Sequence, residues 1–163
     1  MTELAERVVE TLRERGISLA TAESLTGGMI GARITQVPGA SEVFVGGVIA
    51  YATRLKESLL GVPDELIDIH TVVSEAVARA MAVGLSSRTG ADWSVAVTGV
   101  AGPGEQSGHA PGEVWIAVVG PVIGNLPPFE LVERYDFEGD RAAVRTQTVD
   151  AALAMLLRVL SPV

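Results

Sequence analysis

The sequence predicts a three-layer α/β/α sandwich with a mixed, mostly parallel sheet, formed by a single domain over residues 1–163. Helical segments alternate with short apolar strands along most of the chain, which is the pattern of helices packed on both faces of a sheet. Two late strands follow each other with no helix between them, and so direct a connection indicates an antiparallel pair. The length of 163 residues suits one domain with a sizeable core.

The first half of the chain contains two predicted strands and four predicted helices. Apolar residues recur at helical spacing over residues 2–15, and Gly16 ends that helix. The run "ISLATAE" predicts a buried strand, and a helix is expected from Gly27 to Gln36, where "VPGAS" stops it. "VFVGGVIAY" is rich in β-branched and aromatic residues, as strands are. Two short helices, "TRLKESLL" and "VPDELI", follow.

The second half begins with a helix that opens at Ser74 and runs to Leu85. "WSVAVT" then predicts a third strand, "EVWIAVV" and "LVERYDF" predict the antiparallel pair, and a long helix runs from Asp140 to about Leu160. Residues 99–112 form a 14-residue loop with five glycines and two prolines. Loops of this length inside compact domains are often functional.

The composition excludes several classes of function. With 12 basic and 20 acidic residues the net charge is -8, which opposes binding to nucleic acid. No apolar run approaches the roughly 20 residues that cross a bilayer, and the first ten residues do not resemble a secretion signal. We therefore expect a cytoplasmic protein with no membrane partner, and the apolar content suits a homo-oligomer, a dimer or higher. Cysteine is absent and the two histidines lie in separate contexts, so no metal site is expected. No other cofactor is expected either.

The stretch "TAESLTGG" is a turn between the first strand and the next helix, and it contains Ser24. A serine here is either a helix cap or a nucleophile. The main-chain N–H groups of Thr26, Gly27 and Gly28, at the start of a helix, could hold an oxyanion or a phosphate. Ligands of α/β sheets gather at the carboxyl ends of strands, where Ser24, Tyr51 and the loop from Gly99 all fall.

A nucleophilic serine needs a base, and the histidines offer no obvious Ser-His-Asp set. Of the 12 basic residues only Lys56 is a lysine. It is either a solvated residue on a helix face or a base, since lysine can lose its proton whereas arginine cannot. Tyr51 lies five residues earlier and could face the same pocket, or it could be an ordinary aromatic at the end of a strand.

Further candidates flank the same strand ends. Thr98 ends the third strand, where a threonine either packs within the sheet or contributes to a binding site. The main chain of the 99–104 loop, including Gly102, is a second possible source of oxyanion donors. Arg141 follows Asp140, a residue type that caps helices well, and places a cation at a helix N-terminus, which suits a bound anion. The alternative is that Arg141 extends into water. His70 and His109 are most simply solvated or structural residues.

Several motifs together resemble the C-terminal domain of the CinA (competence/damage-inducible) family, which includes the nicotinamide-nucleotide amidases, or nicotinamide mononucleotide deamidases. They are "TAESLTGG", "VPGAS…FVGGVIAY", "K…LLGVP", "VSEAVARAMA", "AVTGVAGPG" and the "GDR" before the last helix, and they span nearly the whole chain in order. The resemblance implies metal-independent hydrolysis of the carboxamide of nicotinamide mononucleotide to nicotinate mononucleotide and ammonia.

Matched position by position, the resemblance places the nucleophile on Ser24, with Tyr51 and Lys56 as its catalytic partners. Thr98 and Arg141 match substrate-binding positions. Leu25, Glu113 and the loop from Glu105 to Ala110 depart from the family pattern, which bears on substrate affinity and loop conformation. Two alternatives remain open: a non-catalytic nucleotide-binding or regulatory module, and a Ser/Lys amidase of different specificity.

Overall fold

A computed structural model describes residues 2–161 as a five-stranded sheet between two layers of helices. The strands are β1 (Leu19–Glu23), β2 (Phe44–Ile49), β3 (Trp93–Gly99), β4 (Glu113–Val119) and β5 (Glu130–Asp136). The helices are α1 (Thr2–Arg15), α2 (Met29–Thr35), α3 (Thr53–Leu60), α4 (Asp64–His70), α5 (Glu75–Thr89) and α6 (Arg141–Leu160). A 3-10 turn covers Ala40–Glu42. No helix in this part of the chain is long and apolar enough to span a membrane.

The strand order is β2-β1-β3-β4-β5, with β1 parallel to both β2 and β3. The β3–β4 and β4–β5 pairs are antiparallel, so β4 alone among these five strands runs against the others. The predicted mixed, mostly parallel sheet is therefore confirmed, as is the antiparallel pairing of "EVWIAVV" with "LVERYDF". Because β1, β2 and β3 are parallel, their carboxyl ends meet at one edge of the sheet.

The two faces of the sheet carry side chains of different size. Large apolar residues face α1, α2 and α6, whereas alanines face α5; the alanines are Ala20, Ala22, Ala96 and Ala117. Small side chains let a helix pack close to the sheet. Gly84 of α5 is close in turn to α3, since a Cβ added there would lie 1.7 Å from the carbonyl oxygen of Leu60. This packing fixes α3, the helix that carries Lys56, against α5.

Three helices have boundaries that differ clearly from the sequence prediction, and one of them is the helix expected over "VPDELI", which covers Asp64–His70. The helix expected from Gly27 begins at Met29, because Gly27 and Gly28 adopt φ values of 57° and 100° and form a left-handed turn instead. The helix expected to end at Leu85 continues to Thr89, where Gly90 terminates it in the left-handed conformation. The later start of α2 matters for the site, since it changes the hydrogen bonds of the N–H groups after Ser24.

Candidate active site

The structure brings Ser24 and Lys56 together. Ser24 directly follows β1 and is 8% exposed, and Lys56 lies on the inner face of α3 and is 1% exposed. The Lys56 Nζ donates to Ser24 Oγ over 3.0 Å, although 32 residues separate the two positions. The alternative of a solvated lysine on an exposed helix face is therefore wrong.

The remaining contacts of Lys56 are with main-chain carbonyl oxygens. Its Nζ donates to the carbonyl of Ala50 over 2.7 Å and to that of Tyr51 over 3.4 Å. No carboxylate of residues 2–161 forms an ion pair with it. Because burial without a counter-charge disfavours the ammonium form, the pKa of Lys56 is lowered from its ordinary value of 10.5 to about 8.

A small cavity of about 50 Å³ surrounds this pair. It is lined by Ser24, Leu25, Tyr51, Lys56, Val72, Val73, Thr98, Gly99 and Gln106. The Thr98 hydroxyl donates to the Val72 carbonyl over 2.9 Å, which fixes it in the cavity wall. The ends of all three parallel strands thus contribute to one cavity, as their sequence positions predicted.

The Glu23 side chain stabilises the turn after Ser24 through hydrogen bonds. The buried Glu23 carboxylate accepts hydrogen bonds from the Thr26 hydroxyl (2.7 Å) and from the N–H groups of Ile30 (2.8 Å) and Gly31 (3.1 Å). It therefore occupies the N-terminus of α2, where the sequence suggested a bound oxyanion or phosphate. The chain supplies its own anion there.

The N–H groups of Thr26, Gly27 and Gly28 differ in availability. The expectation of a free N–H at Gly27 is wrong, because this group donates to the Ser24 carbonyl over 3.1 Å. The main-chain N–H groups of Thr26 and Gly28 have no acceptor within residues 2–161. Two of the three N–H groups considered from the sequence thus have no hydrogen-bond partner in the described chain.

Arg145 of α6 contributes to this turn and was missed in the sequence. Its Nε donates to the Leu25 carbonyl over 2.9 Å, and a terminal nitrogen donates to the Thr26 carbonyl over 3.2 Å. In a trans peptide the C=O and the following N–H point in opposite directions, so holding the Leu25 carbonyl directs the Thr26 N–H away from Arg145. Its position could have identified it as a candidate, because Arg145 lies one helical turn after Arg141 on the same face of α6.

Tyr51 and Arg141 meet at the surface beside the cavity. The Tyr51 side chain is 57% exposed, and its hydroxyl accepts a hydrogen bond from Arg141 over 2.8 Å. Lys56 forms its hydrogen bond with the Tyr51 carbonyl and not with the Tyr51 side chain. Arg141 also donates to the Gly102 carbonyl over 2.8 Å, so it joins β2 to the 99–112 loop.

The N-terminus of α6 also holds a carboxylate. Asp140 caps this helix by accepting the Ala143 N–H over 2.8 Å, as its sequence position predicted. A ligand anion at Arg141 would therefore meet the guanidinium rather than free N–H groups of the first helical turn.

A much larger cavity lacks comparable chemistry. It has a volume of about 560 Å³ and lies between α5 and the α3–α4 segment. Its charged residues are Arg79, which is paired with Glu75 and Glu130, and Arg88. Within residues 2–161 no group of three or more His, Asp or Glu side chains is placed to hold a metal ion. Chemistry rather than size therefore points to the Ser24–Lys56 cavity.

The fold is shared with solved structures over almost its whole length. A CinA superfamily protein from Klebsiella pneumoniae superposes with a TM-score of 0.90 at 35% identity, covering 98% of this chain and 96% of that one. The competence/damage inducible protein CihA from Agrobacterium tumefaciens gives a TM-score of 0.91 at 34% identity, covering 98% and 95%.

Sequence relatives lead to the same family. The chain is 46% identical over 158 residues to a CinA-like protein of Prochlorococcus marinus (strain MIT 9313), and 48% identical over 160 residues to one of Synechococcus sp. (strain CC9902). These matches cover 96% and 97% of this chain but 36% and 37% of the relatives, so the chain spans little more than a third of their length. The family model for the CinA C-terminal domain matches residues 1–160, and with these relatives it shows that the chain belongs to the CinA C-terminal domain family.

Proposed function

We propose that this domain hydrolyses the carboxamide of nicotinamide mononucleotide to nicotinate mononucleotide and ammonia, with Ser24 as nucleophile and Lys56 as base. The observation that carries the chemistry is the 3.0 Å contact between Ser24 Oγ and a buried lysine that has no carboxylate partner in the described chain. The choice of substrate is supported by the motif resemblance to nicotinamide-nucleotide amidases and by Arg141 beside the cavity.

The contacts of Lys56 suit it to accept a proton from Ser24. When neutral, the amine has two hydrogens and one lone pair. The carbonyls of Ala50 and Tyr51 accept the two hydrogens, which leaves the lone pair for the Ser24 hydroxyl. The same 3.0 Å contact then runs in the opposite direction, with Ser24 donating to Nζ. This is the geometry of general-base activation of a nucleophile.

The reaction proceeds through an acyl-enzyme. Ser24 Oγ attacks the amide carbon while its proton passes to Lys56, and the carbonyl oxygen becomes an oxyanion. The unpaired N–H groups of Thr26 and Gly28 are our candidates for stabilising that charge. Lys56 returns the proton to the leaving nitrogen, the C–N bond breaks and ammonia departs. A water molecule, deprotonated by Lys56, then hydrolyses the ester at Ser24 to release the carboxylate.

The remaining candidates would bind the rest of the substrate outside the cavity. The volume of about 50 Å³ is far below the 300–1,000 Å³ typical of sites that enclose drug-sized ligands, so the carboxamide enters while the ribose and phosphate stay outside. Arg141 would hold the phosphate, with Tyr51 and the Gly102 main chain beside it. Thr98 would form part of the wall against the amide.

The decisive experiment measures ammonia release in the presence of a chelator. Nicotinamide mononucleotide, nicotinamide, glutamine and a short peptide are offered to wild type and to Ser24→Ala and Lys56→Arg. We expect turnover of the mononucleotide alone, lost in both variants, because arginine retains the charge but cannot act as a base. Arg54→Lys, an exposed position on the same helix, is the matched control and should retain full activity. Unchanged activity in Lys56→Arg would exclude Lys56 as the base.

The same experiment distinguishes the two alternatives. A non-catalytic nucleotide-binding module would give no ammonia from any substrate, while nucleotide binding would survive in Lys56→Arg. A Ser/Lys amidase of different specificity would release ammonia from glutamine or cleave the peptide, and both variants would abolish that activity.

A further inference from the structure

The loop above the cavity contains a small hairpin, residues 106–109. The Gln106 N–H donates to the His109 carbonyl over 3.0 Å, and the His109 N–H donates to the Gln106 carbonyl over 2.9 Å. Ser107 and Gly108 between them have φ values of 52° and 80°, the left-handed pair typical of a two-residue hairpin turn. The hairpin places Gln106 against the cavity that contains Ser24.

The His109 side chain fixes this hairpin on two sides. Its Nδ1 lies 2.9 Å from a carboxylate oxygen of Glu113, and its Nε2 lies 2.6 Å from the Thr71 hydroxyl. Since a carboxylate accepts, Nδ1 donates to Glu113, while Nε2 and the Thr71 hydroxyl share one hydrogen bond. Glu113 is 8% exposed and also accepts the Trp115 indole N–H over 3.2 Å. We call Thr71, His109 and Glu113 the clasp.

Thr71 connects the clasp to the cavity wall. Thr71 has a φ of 66°, an uncommon conformation for a β-branched residue, and its hydroxyl is bonded to His109. The next two residues, Val72 and Val73, line the cavity. The clasp therefore ties the hairpin that carries Gln106 to the part of the cavity wall that Val72 and Val73 form.

We propose that Gln106, held over the Ser24–Lys56 cavity by the clasp, is a specificity residue that restricts the site to primary carboxamides and rejects N-substituted amides. This inference rests on the proposed function, since it concerns the same nucleophile. A cavity of about 50 Å³ leaves little room for an added N-methyl group or a peptide chain. One methylene too many in a close-fitting pocket changes kcat/KM by about 10–200-fold.

The test uses a unique thiol in place of the nucleophile. The chain has no cysteine, so Ser24→Cys introduces the only one. Its alkylation rate is measured with iodoacetamide, a small primary amide, and with fluorescein maleimide, a bulky reagent. In the Ser24→Cys background, Gln106→Ala should increase the alkylation rate at least about tenfold with the bulky reagent and less than about threefold with iodoacetamide. Gln106→Met, which keeps the length of the side chain, should leave both rates close to those of Ser24→Cys alone.

Two further variants isolate Gln106 and the clasp. Glu105→Ala changes the preceding exposed residue and should leave both alkylation rates unchanged. Thr71→Val removes the hydroxyl that binds His109 and changes the shape of the side chain little. It should increase the alkylation rate with the bulky reagent and not with iodoacetamide. Unchanged labelling in Gln106→Ala, or equal acceleration of both reagents, would overturn the role of Gln106. Unchanged labelling in Thr71→Val would overturn the role of the clasp.

The labelling result does not depend on turnover, so it separates this inference from the proposed function. If wild type releases no ammonia from nicotinamide mononucleotide, the proposed function fails while the thiol rates still report on Gln106. If wild type is active, Gln106→Ala should lower the preference for the mononucleotide over its N-methylamide by about tenfold. An unchanged preference would contradict the inference.

Discussion

The pH dependence of activity tests the proposed base directly. With a pKa of about 8, roughly one tenth of Lys56 is neutral at pH 7, half at pH 8 and about nine tenths at pH 9. Since only the neutral amine can accept the Ser24 proton, kcat/KM should rise about tenfold from pH 7 to pH 9 and then level off. At pH 7 a lysine with the ordinary pKa of 10.5 would be neutral about 300-fold less often than Lys56.

The same pKa can be measured without turnover, because Lys56 is the only lysine in the chain. Protein labelled with ¹³C at the lysine ε carbon gives a single side-chain resonance, whose chemical shift reports the protonation of Nζ. We expect its midpoint near pH 8 and the same midpoint in the kcat/KM profile. Ser24→Ala is the control, since it should leave the amine buried and its pKa lowered. A midpoint near 10.5, or activity that is flat between pH 7 and pH 9, would refute Lys56 as the base.

Three further substitutions test the packing around the pair. Arg145→Met should lower kcat about 10-fold or more with little change in KM, because it releases the carbonyl that orients the Thr26 N–H; steady-state kinetics checks this. Glu23→Gln should reduce the free energy of unfolding by about 1–3 kcal/mol in urea titration, because an amide nitrogen would replace one acceptor of the α2 N–H groups. Gly84→Ala should destabilise by about 1–3 kcal/mol and also lower kcat, because its Cβ would collide with the Leu60 carbonyl and displace α3.

The sequence predicted the fold class and most elements because their signals are local. Helical spacing, β-branched runs and glycine stops each lie within one segment, and parallel strands place their carboxyl ends at one edge whatever the details of packing. Ser24, Thr98 and the main chain at Tyr51 meet for this reason. Lys56 lies beside them because only three residues separate the end of β2 from α3, and α3 packs on the same face as α5.

The features that the sequence did not predict depend on contacts between distant segments. The bond between Arg145 and the Leu25 carbonyl joins residues 120 positions apart, and no local pattern encodes it. The Tyr51 side chain turns outward to Arg141 because the edge strand β2 leaves it exposed, so its carbonyl rather than its hydroxyl meets Lys56. His109 was expected to be either solvated or structural. It is structural, because its ring contacts Glu113, a carboxylate that is only 8% exposed.

Lys56 has no carboxylate beside it in the described chain, and this favours transfer of the Ser24 proton to Lys56 as the reaction proceeds. In the resting site the amine has no counter-charge, and burial keeps its pKa at about 8. As Ser24 attacks, negative charge develops about 3 Å from Nζ, and an opposite charge at that distance raises the pKa of an amine. Lys56 thus becomes a stronger base as the reaction proceeds, which favours proton transfer at the transition state over the ground state.

A boronic acid analogue of the substrate tests this coupling, because it forms a stable tetrahedral anion on Ser24. With the boronate bound, the ¹³C resonance of Lys56 should remain in its ammonium position at pH 9, where the free protein is mostly neutral. Ser24→Ala cannot form the adduct and should titrate as the free protein does. A wild-type resonance that still titrates near pH 8 with the boronate bound would show that the lysine does not sense the charge on Ser24, and the coupled proton transfer would have to be abandoned.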